Sequence, residues 1–147
     1  MRAVLTRVKE ASVRVEGELV SEIGQGFLVL LGVSKDDGEA ELRYIADRIS
    51  GIRIFSDSEG KMNLAPKAVN AEILLVSQFT LYADISKRRP GFTAAAGGEM
   101  AERLYEELAS ALRAEGFTVK TGVFGAMMEV CSINDGPVTI IIDSENR

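Results

Sequence analysis

Two unbroken apolar runs dictate the core of this chain. Phe27–Val33 reads FLVLLGV, and ILLV lies inside Glu72–Ala83, with no polar residue interrupting either run. A strand with one wet face alternates apolar and polar side chains. A continuous run carries apolar groups on both faces and must be covered on both. Neither run is long enough to span a bilayer. They predict two buried central strands, the first over FLVLLGVS and the second over Glu72–Ala83.

The flanks supply partners for these strands. Ala3–Val15 is rich in β-branched residues and predicts one long or bent strand. Glu16–Glu18 (EGE) predicts a turn, and LVSEI a strand returning as a hairpin. Gly24–Gly26 (GQG) predicts a further reversal. Leu42, Ile45, Ala46, Ile49 and Ile52 recur at helical spacing, with Gly51 weakening the end. RIFSDSEGKMN reads as a short strand and a polar turn. Met100, Leu104, Leu108, Ala111 and Leu112 form the stripe of a second helix, stopped by Gly116. AMMEVCSI and VTIIID predict two strands around NDGPVT, with Asp135-Gly136 as a hairpin tip. Met127, Met128 and Cys131 fall on the first of them, as core residues or a soft pocket wall. The expected fold is mixed α/β: a layered β/β/α arrangement of mostly antiparallel or mixed sheets, two main helices on one side, and one domain over 1–147.

Composition restricts the chemistry. The chain has no histidine, which removes Ser-His and Cys-His pairs, histidine general bases and histidine metal ligands together. The single cysteine, Cys131, allows neither an internal disulfide nor a cysteine-based zinc site. The acidic residues show no metal-ligand spacing, so neither metal nor cofactor is expected. A net charge of −5 argues against broad coating of DNA or RNA, while leaving room for local contact with a nucleic-acid end. Charges scattered from Arg2 to Glu22 break any signal-peptide pattern, so a cytoplasmic location without membrane contact is expected.

Three stretches stand out as sites. Ser77–Tyr82 (SQFTLY) brings the hydroxyls of Ser77, Thr80 and Tyr82 and the amide of Gln78 to a strand end. It is either a polar strand cap or a mouth that offers hydroxyls and backbone N–H groups to a ligand. Asn134–Thr139 (NDGPVT) places Pro137, which has no N–H, where a returning strand should begin pairing. It is either a surface hairpin with a stiffened exit or a tight turn whose Gly136–Pro137 bond is cis, aiming two carbonyls at a ligand. Ser86–Phe92 (SKRRPGF) is the densest basic run. Its Lys87, Arg88 and Arg89 are either a solvated face or phosphate contacts beside a site.

SQFTLY and NDGPVT together, with RVKEASVRVEGE, GFLVLLGVS, RIFSDSEGKMN and RRPGF in matching order, resemble the D-aminoacyl-tRNA deacylase family across the whole chain. The resemblance implies a homodimer with active sites at the subunit interface. The implied reaction is hydrolysis of the ester between a D-amino acid and the terminal ribose of tRNA, with no DNA partner. Glycyl-tRNA is an expected further substrate. The resemblance also implies that Gly136 and Pro137 form a cis-peptide chirality filter that enters the partner's pocket. Arg7 matches the position bracing that motif, and Asn134 and Thr139 belong to it. Ser77, Gln78, Phe79, Thr80 and Met128 match the pocket. A related class removes L-alanine and carries a trans Gly-Pro; the spellings here match the D-specific class.

Ester hydrolysis needs an activated water and donors for the developing oxyanion. Backbone N–H groups near Phe79 and Thr80 are the candidate donors. No histidine can activate Thr80, so the favoured mechanism uses the tRNA 2′-OH to position or activate water. Covalent attack by Thr80 is second. A non-catalytic dimeric module that binds tRNA ends or small amino compounds is the alternative from another class.

Overall fold

The computed structural model describes all 147 residues. β1 (Arg2–Val15) is its organising strand. On one edge it pairs antiparallel first with β2 (Glu18–Ile23) and then with β3 (Gly26–Gly32). Ala11 faces Ile23, Val8 faces Gly26 and Arg2 faces Gly32, so β2 and β3 follow one another along β1 in a single register. The GQG segment is therefore a bend within a strand, not the expected reversal. Its glycines serve a close approach instead. A Cβ on Gly26 would lie 1.9 Å from the Glu72 carbonyl oxygen, where the next strand arrives.

That next strand is β6 (Glu72–Ser77), parallel to β3, with β7 (Val119–Thr121) parallel beyond it. α1 (Glu39–Gly51) lies in the crossover from β3 to β6, and α2 (Gly98–Ala114) in that from β6 to β7. A small hairpin of β4 (Phe55–Ser56) and β5 (Met62–Leu64) follows α1. On its other edge β1 pairs antiparallel with β8 (Glu129–Asp143), giving a mixed sheet of six strands.

Both helices cover one face of this sheet. Leu42, Ile45 and Ile49 of α1 and Leu104, Leu108 and Leu112 of α2 join Leu5, Phe27, Val29, Ile73 and Leu75 in one core. The α1 stripe ends at Gly51, with Ile52 already extended. α2 closes as foreseen: Gly116 (φ +100°) and Phe117 donate to the Arg113 and Leu112 carbonyls, capping the helix through a left-handed glycine. The opposite face curls around a smaller core of Val8, Ala11, Val13, Leu28, Leu74 and Val76. β1 serves both because its pairing to β8 shifts between Val8 and Glu10, which reverses the alternation of faces. Near-closure of the curl is marked by the Ser21 hydroxyl, which donates to the Thr121 carbonyl at 2.5 Å.

The hexapeptide departs from expectation. Its two end residues both pair antiparallel with β1 on the same edge: Asn134 with Val8, and Thr139 with Thr6. The chain never reverses, so there is no hairpin. Asp135–Val138 bulges outward opposite Arg7 alone. The predicted second central strand is also shorter than expected. It ends at Ser77, and Phe79–Tyr82 forms a 3-10 turn. Met127 and Cys131 are exposed rather than core, and Met127 and Met128 both precede the strand, which begins at Glu129.

Candidate active site

β3 and β6 are parallel and end side by side at Leu31 and Ser77. The carboxyl ends of such strands open onto a crevice that the following loops must line. Here Gln78 donates its N–H to the Leu31 carbonyl at 2.8 Å, and the chain turns sharply into Phe79–Tyr82. Gly32 makes room for that turn: a Cβ there would lie 2.9 Å from Leu81 Cβ. The first N–H groups of a helical turn lack partners within it. Neither Phe79 nor Thr80 donates its backbone N–H to a backbone acceptor outside the regular elements. Thr80 Oγ1 accepts from the Gln78 side-chain amide at 2.5 Å.

These residues border a cavity of about 600 Å³. Ser77, Gln78, Phe79, Thr80 and Met128 all line it, so five of the expected pocket residues share one space. Ala96, Gly98 and Ala101 at the start of α2 form another wall, and Phe124–Met127 a third. Of these, only Met127 was singled out in the sequence, as a soft pocket wall; the others have small or apolar side chains that carry no chemical signature. The stretch GVFGAMM over Gly122–Met128, with its two glycines and two methionines, was the available hint. Not one of the sixteen lining residues has an ionisable side chain. Behind Phe124 lies Tyr105, ring centroids 5.9 Å apart. Its hydroxyl donates to the Leu75 carbonyl at 2.7 Å, and burial pushes the phenol up to about 12. It is no proton acceptor at neutral pH.

The other expected residues lie elsewhere on the same chain. The Arg7 guanidinium is buried under the bulge. Its Nε donates to the Asp135 carbonyl at 3.1 Å and stands 3.4 Å from the Asp135 carboxylate, while Nη1 donates to the Ile54 carbonyl. Gly136 has φ +126°, and a Cβ there would lie 3.1 Å from Arg7 Nη2, so glycine suits both the backbone and the space. The Gly136–Pro137 bond is cis, and both residues are exposed. Asn134 and Thr139 frame the bulge from exposed positions, and Asn134 Oδ1 accepts from the Ser132 hydroxyl at 2.8 Å. None of Arg7, Asn134, Gly136, Pro137 or Thr139 borders the cavity. β1 and β3 stand between β8 and β6 in the sheet.

Lys87, Arg88 and Arg89 are exposed at the tip of a loop closed by paired Asp84 and Gly91. The loop is stapled beside the cavity by Phe92, which meets Phe79 edge-on at 5.0 Å. At the far end of the turn, Arg2 donates to the Leu81 carbonyl at 2.8 Å and pairs with Asp143. Burial works against the Asp143 charge, but the Glu145 N–H and Arg2 outweigh it and hold the carboxyl below its usual range.

Residues 4–143 match the family model described as D-Tyr-tRNA(Tyr) deacylase. The chain belongs to the D-aminoacyl-tRNA deacylase family. The D-aminoacyl-tRNA deacylase of Chloroflexus aurantiacus is 57% identical over 145 residues, covering 98% of this chain and 91% of that one. Its counterpart from Dictyoglomus turgidum is 54% identical over 147 residues, covering 99% and 94%. A solved structure named c-Myc DNA Unwinding Element Binding Protein superposes with a TM-score of 0.93 at 42% identity, covering 98% of this chain and 99% of that one. A probable eukaryotic D-amino acid tRNA deacylase shares the fold, with a TM-score of 0.80 at 18% identity over 96% and 97% of the two chains. The deacylase is thus an ester hydrolase acting in tRNA editing, and no helix in it is long and apolar enough to cross a membrane. The family assignment removes the non-catalytic module as a leading interpretation.

Proposed function

We propose that residues 1–147 work as one domain that hydrolyses D-aminoacyl-tRNA as a homodimer, each cavity completed by the Asp135–Val138 bulge of a second copy. The observation carrying the mechanism is the cavity of about 600 Å³ without an ionisable lining side chain. A space of that size suits an aminoacyl ester on a terminal nucleoside. Its walls offer hydroxyls, an amide and unpartnered N–H groups, but no base. The substrate therefore supplies what the walls lack: the tRNA 2′-OH positions or activates water, passing its own proton to the departing ester oxygen of the ribose as it takes the water's, and the Phe79 and Thr80 N–H groups receive the oxyanion. Losing one such donor typically costs about 2.7–4 kcal/mol. Covalent attack by Thr80 is disfavoured, because the hydroxyl's one hydrogen-bond partner, Gln78, is a donor rather than a base.

The chirality filter needs a second chain. Gly136 and Pro137 lie outside their own chain's cavity and are exposed on β8, whose outer edge is unpaired. Val130, Ile133 and Ile141 are exposed along the same strand, a composition that favours burial against a partner. In this arrangement the Gly136 and Pro137 carbonyls engage the substrate α-amino group and leave no room for an L side chain. Glycine has no side chain to reject, so glycyl-tRNA is also cleaved. Lys87, Arg88 and Arg89, held beside Phe79, supply local phosphate contacts on a chain whose net charge of −5 disfavours duplex coating. The site of action is the cytoplasm, where charged tRNA is used.

The test is incubation of low protein concentrations with D-aminoacyl-, glycyl- and L-alanyl-tRNA. Selective loss of the D- and glycyl esters supports this reading. Binding without cleavage, or preferential loss of the L-alanyl ester, refutes it. A substrate ending in 2′-deoxyadenosine that hydrolyses at the normal rate removes the substrate-assisted step.

A further inference from the structure

Three residues stand in a row across the sheet where β3, β1 and β8 meet: Gly32 pairs with Arg2, and Arg2 with Asp143. The Phe79–Tyr82 turn lies over this row. Gly32 seats it from one side, because a Cβ there would press within 2.9 Å of Leu81 Cβ and 3.2 Å of both the Gln78 carbonyl oxygen and the Tyr82 ring. Arg2 ties it from the other. Its Nη1 donates to the Leu81 carbonyl at 2.8 Å, and its Cζ lies 4.9 Å from the Tyr82 ring centroid. Its Nε and Nη2 both reach Asp143 Oδ2, at 2.9 Å and 2.8 Å. One planar guanidinium thus binds the turn's backbone, stacks on its last aromatic ring and anchors both to the end of β8.

We propose that Arg2 is a positioning residue for deacylation: its guanidinium holds the Phe79–Tyr82 turn against Gly32 and Asp143 and so sets the direction of the Phe79 and Thr80 N–H groups. The inference rests on the proposed role of those N–H groups. Its physical basis is the sensitivity of oxyanion donors to small displacements. A turn held only by its own short hydrogen bonds would let them wander, whereas a bond to Leu81 from a side chain rooted in β1 does not. Arg7 does the equivalent for the bulge, through Asp135. Both halves of the proposed site are then tied to a single strand, five positions apart, a span of about 17 Å at the usual antiparallel rise.

Lysine cannot replace this arrangement. Its ammonium keeps the charge and can meet Asp143 or the Leu81 carbonyl, but it has no flat face for Tyr82 and no rigid fork to hold both partners. The experiment measures single-turnover hydrolysis of D-aminoacyl-tRNA by the full chain, with thermal unfolding in parallel, for wild type, Arg2→Lys and Asp143→Asn. We expect Arg2→Lys to unfold near the wild-type temperature while its maximal rate falls about tenfold and its half-saturating concentration stays within about twofold. Asp143→Asn, which leaves the Leu81 bond but loosens its root, loses rate in the same sense by a smaller factor. Either variant folding and cleaving at the wild-type rate overturns the proposal, as does a loss that merely tracks the folded fraction. Should Arg2→Lys fail to fold, Asp143→Asn decides the matter by the same criteria. Wild-type protein that leaves the ester intact refutes the proposed function itself, whereas active wild type with unaffected variants refutes only the role of Arg2.

Discussion

Arg7 donates its Nε to the carbonyl of Asp135 at 3.1 Å, one residue of β1 propping a bulge that spans to Val138. The guanidinium fills the gap that the departing strand leaves, and it also reaches the Ile54 carbonyl. Replacing Arg7 by Ala strips one buried carbonyl, one partly buried carbonyl and one carboxylate of their donor. We expect a loss on the order of 3 kcal/mol of stability, read from urea unfolding. D-aminoacyl-tRNA hydrolysis should fall further than the folded fraction accounts for, because the bulge loses its support.

Thr80→Ala distinguishes two chemistries. Loss of the Thr80 hydroxyl removes one neutral hydrogen bond, from Gln78. Such a bond contributes about 0.5–1.5 kcal/mol, so single-turnover hydrolysis should fall by no more than about tenfold. An essential nucleophile would take the rate down by roughly ten-thousandfold or more, and a drop of that size would establish covalent attack.

Tyr82→Phe should stabilise the fold. The Tyr82 hydroxyl is buried without a hydrogen-bond partner, and burial raises the phenol's pKa. Burying an unpaired hydroxyl costs about 1–3 kcal/mol in proteins. Phenylalanine keeps the ring under Arg2 and deletes the orphan, so the midpoint of thermal unfolding should rise. A lower midpoint would mean that the hydroxyl has a partner in solution.

Acid should weaken the protein through its depressed carboxylates. Asp143 and Glu41 are held below their usual range, Glu41 chiefly by the Gly38 N–H at the start of α1. A carboxylate whose folded value lies below its unfolded one contributes stability fully above the unfolded value, about 4 for these groups. That contribution is lost as pH falls through the folded value. At the alkaline end Tyr105, raised to about 12 by burial, favours the fold below about 10 and withdraws that support as pH rises toward 12. Unfolding midpoints should therefore be flat across neutrality and fall below about pH 4 and above about pH 10, and Asp143→Asn should flatten the acid limb.

Gly26→Ala should be among the most damaging small substitutions. Its Cβ would meet the Glu72 backbone at 1.9–2.7 Å, where no side-chain rearrangement can relieve the clash. β3 and β6 would have to separate at their first pair. We expect more than about 3 kcal/mol of destabilisation, seen as loss of soluble protein or of cooperative unfolding. Gly17→Ala is the contrast. Nothing lies within 4 Å of its added Cβ, so its cost is confined to the positive φ of +81°.

Element type was legible wherever a period was. The unbroken FLVLLGV and ILLV, the stripe of Leu104, Leu108 and Leu112, and the stop at Gly116 each depend on local repetition or local backbone preference, which the chain carries in its order of residues. Chain direction was not legible. Gly24–Gly26 and Asp135–Gly136 both have the composition of reversals, yet at both places β1 continues to pair on the same edge. Glycine signals that a backbone departs from the ordinary, but only the neighbouring strand decides whether it bends, bulges or turns back. In the same way SQFTLY announced polar groups at a strand end, while Ala96, Ala101 and Phe124 became cavity walls through crossovers that bring distant segments together. Arg2 shows the difference in one residue. As a letter it is one more surface charge, and only the meeting of Gly32, Leu81, Tyr82 and Asp143 around its guanidinium turns it into the tie of the proposed catalytic turn.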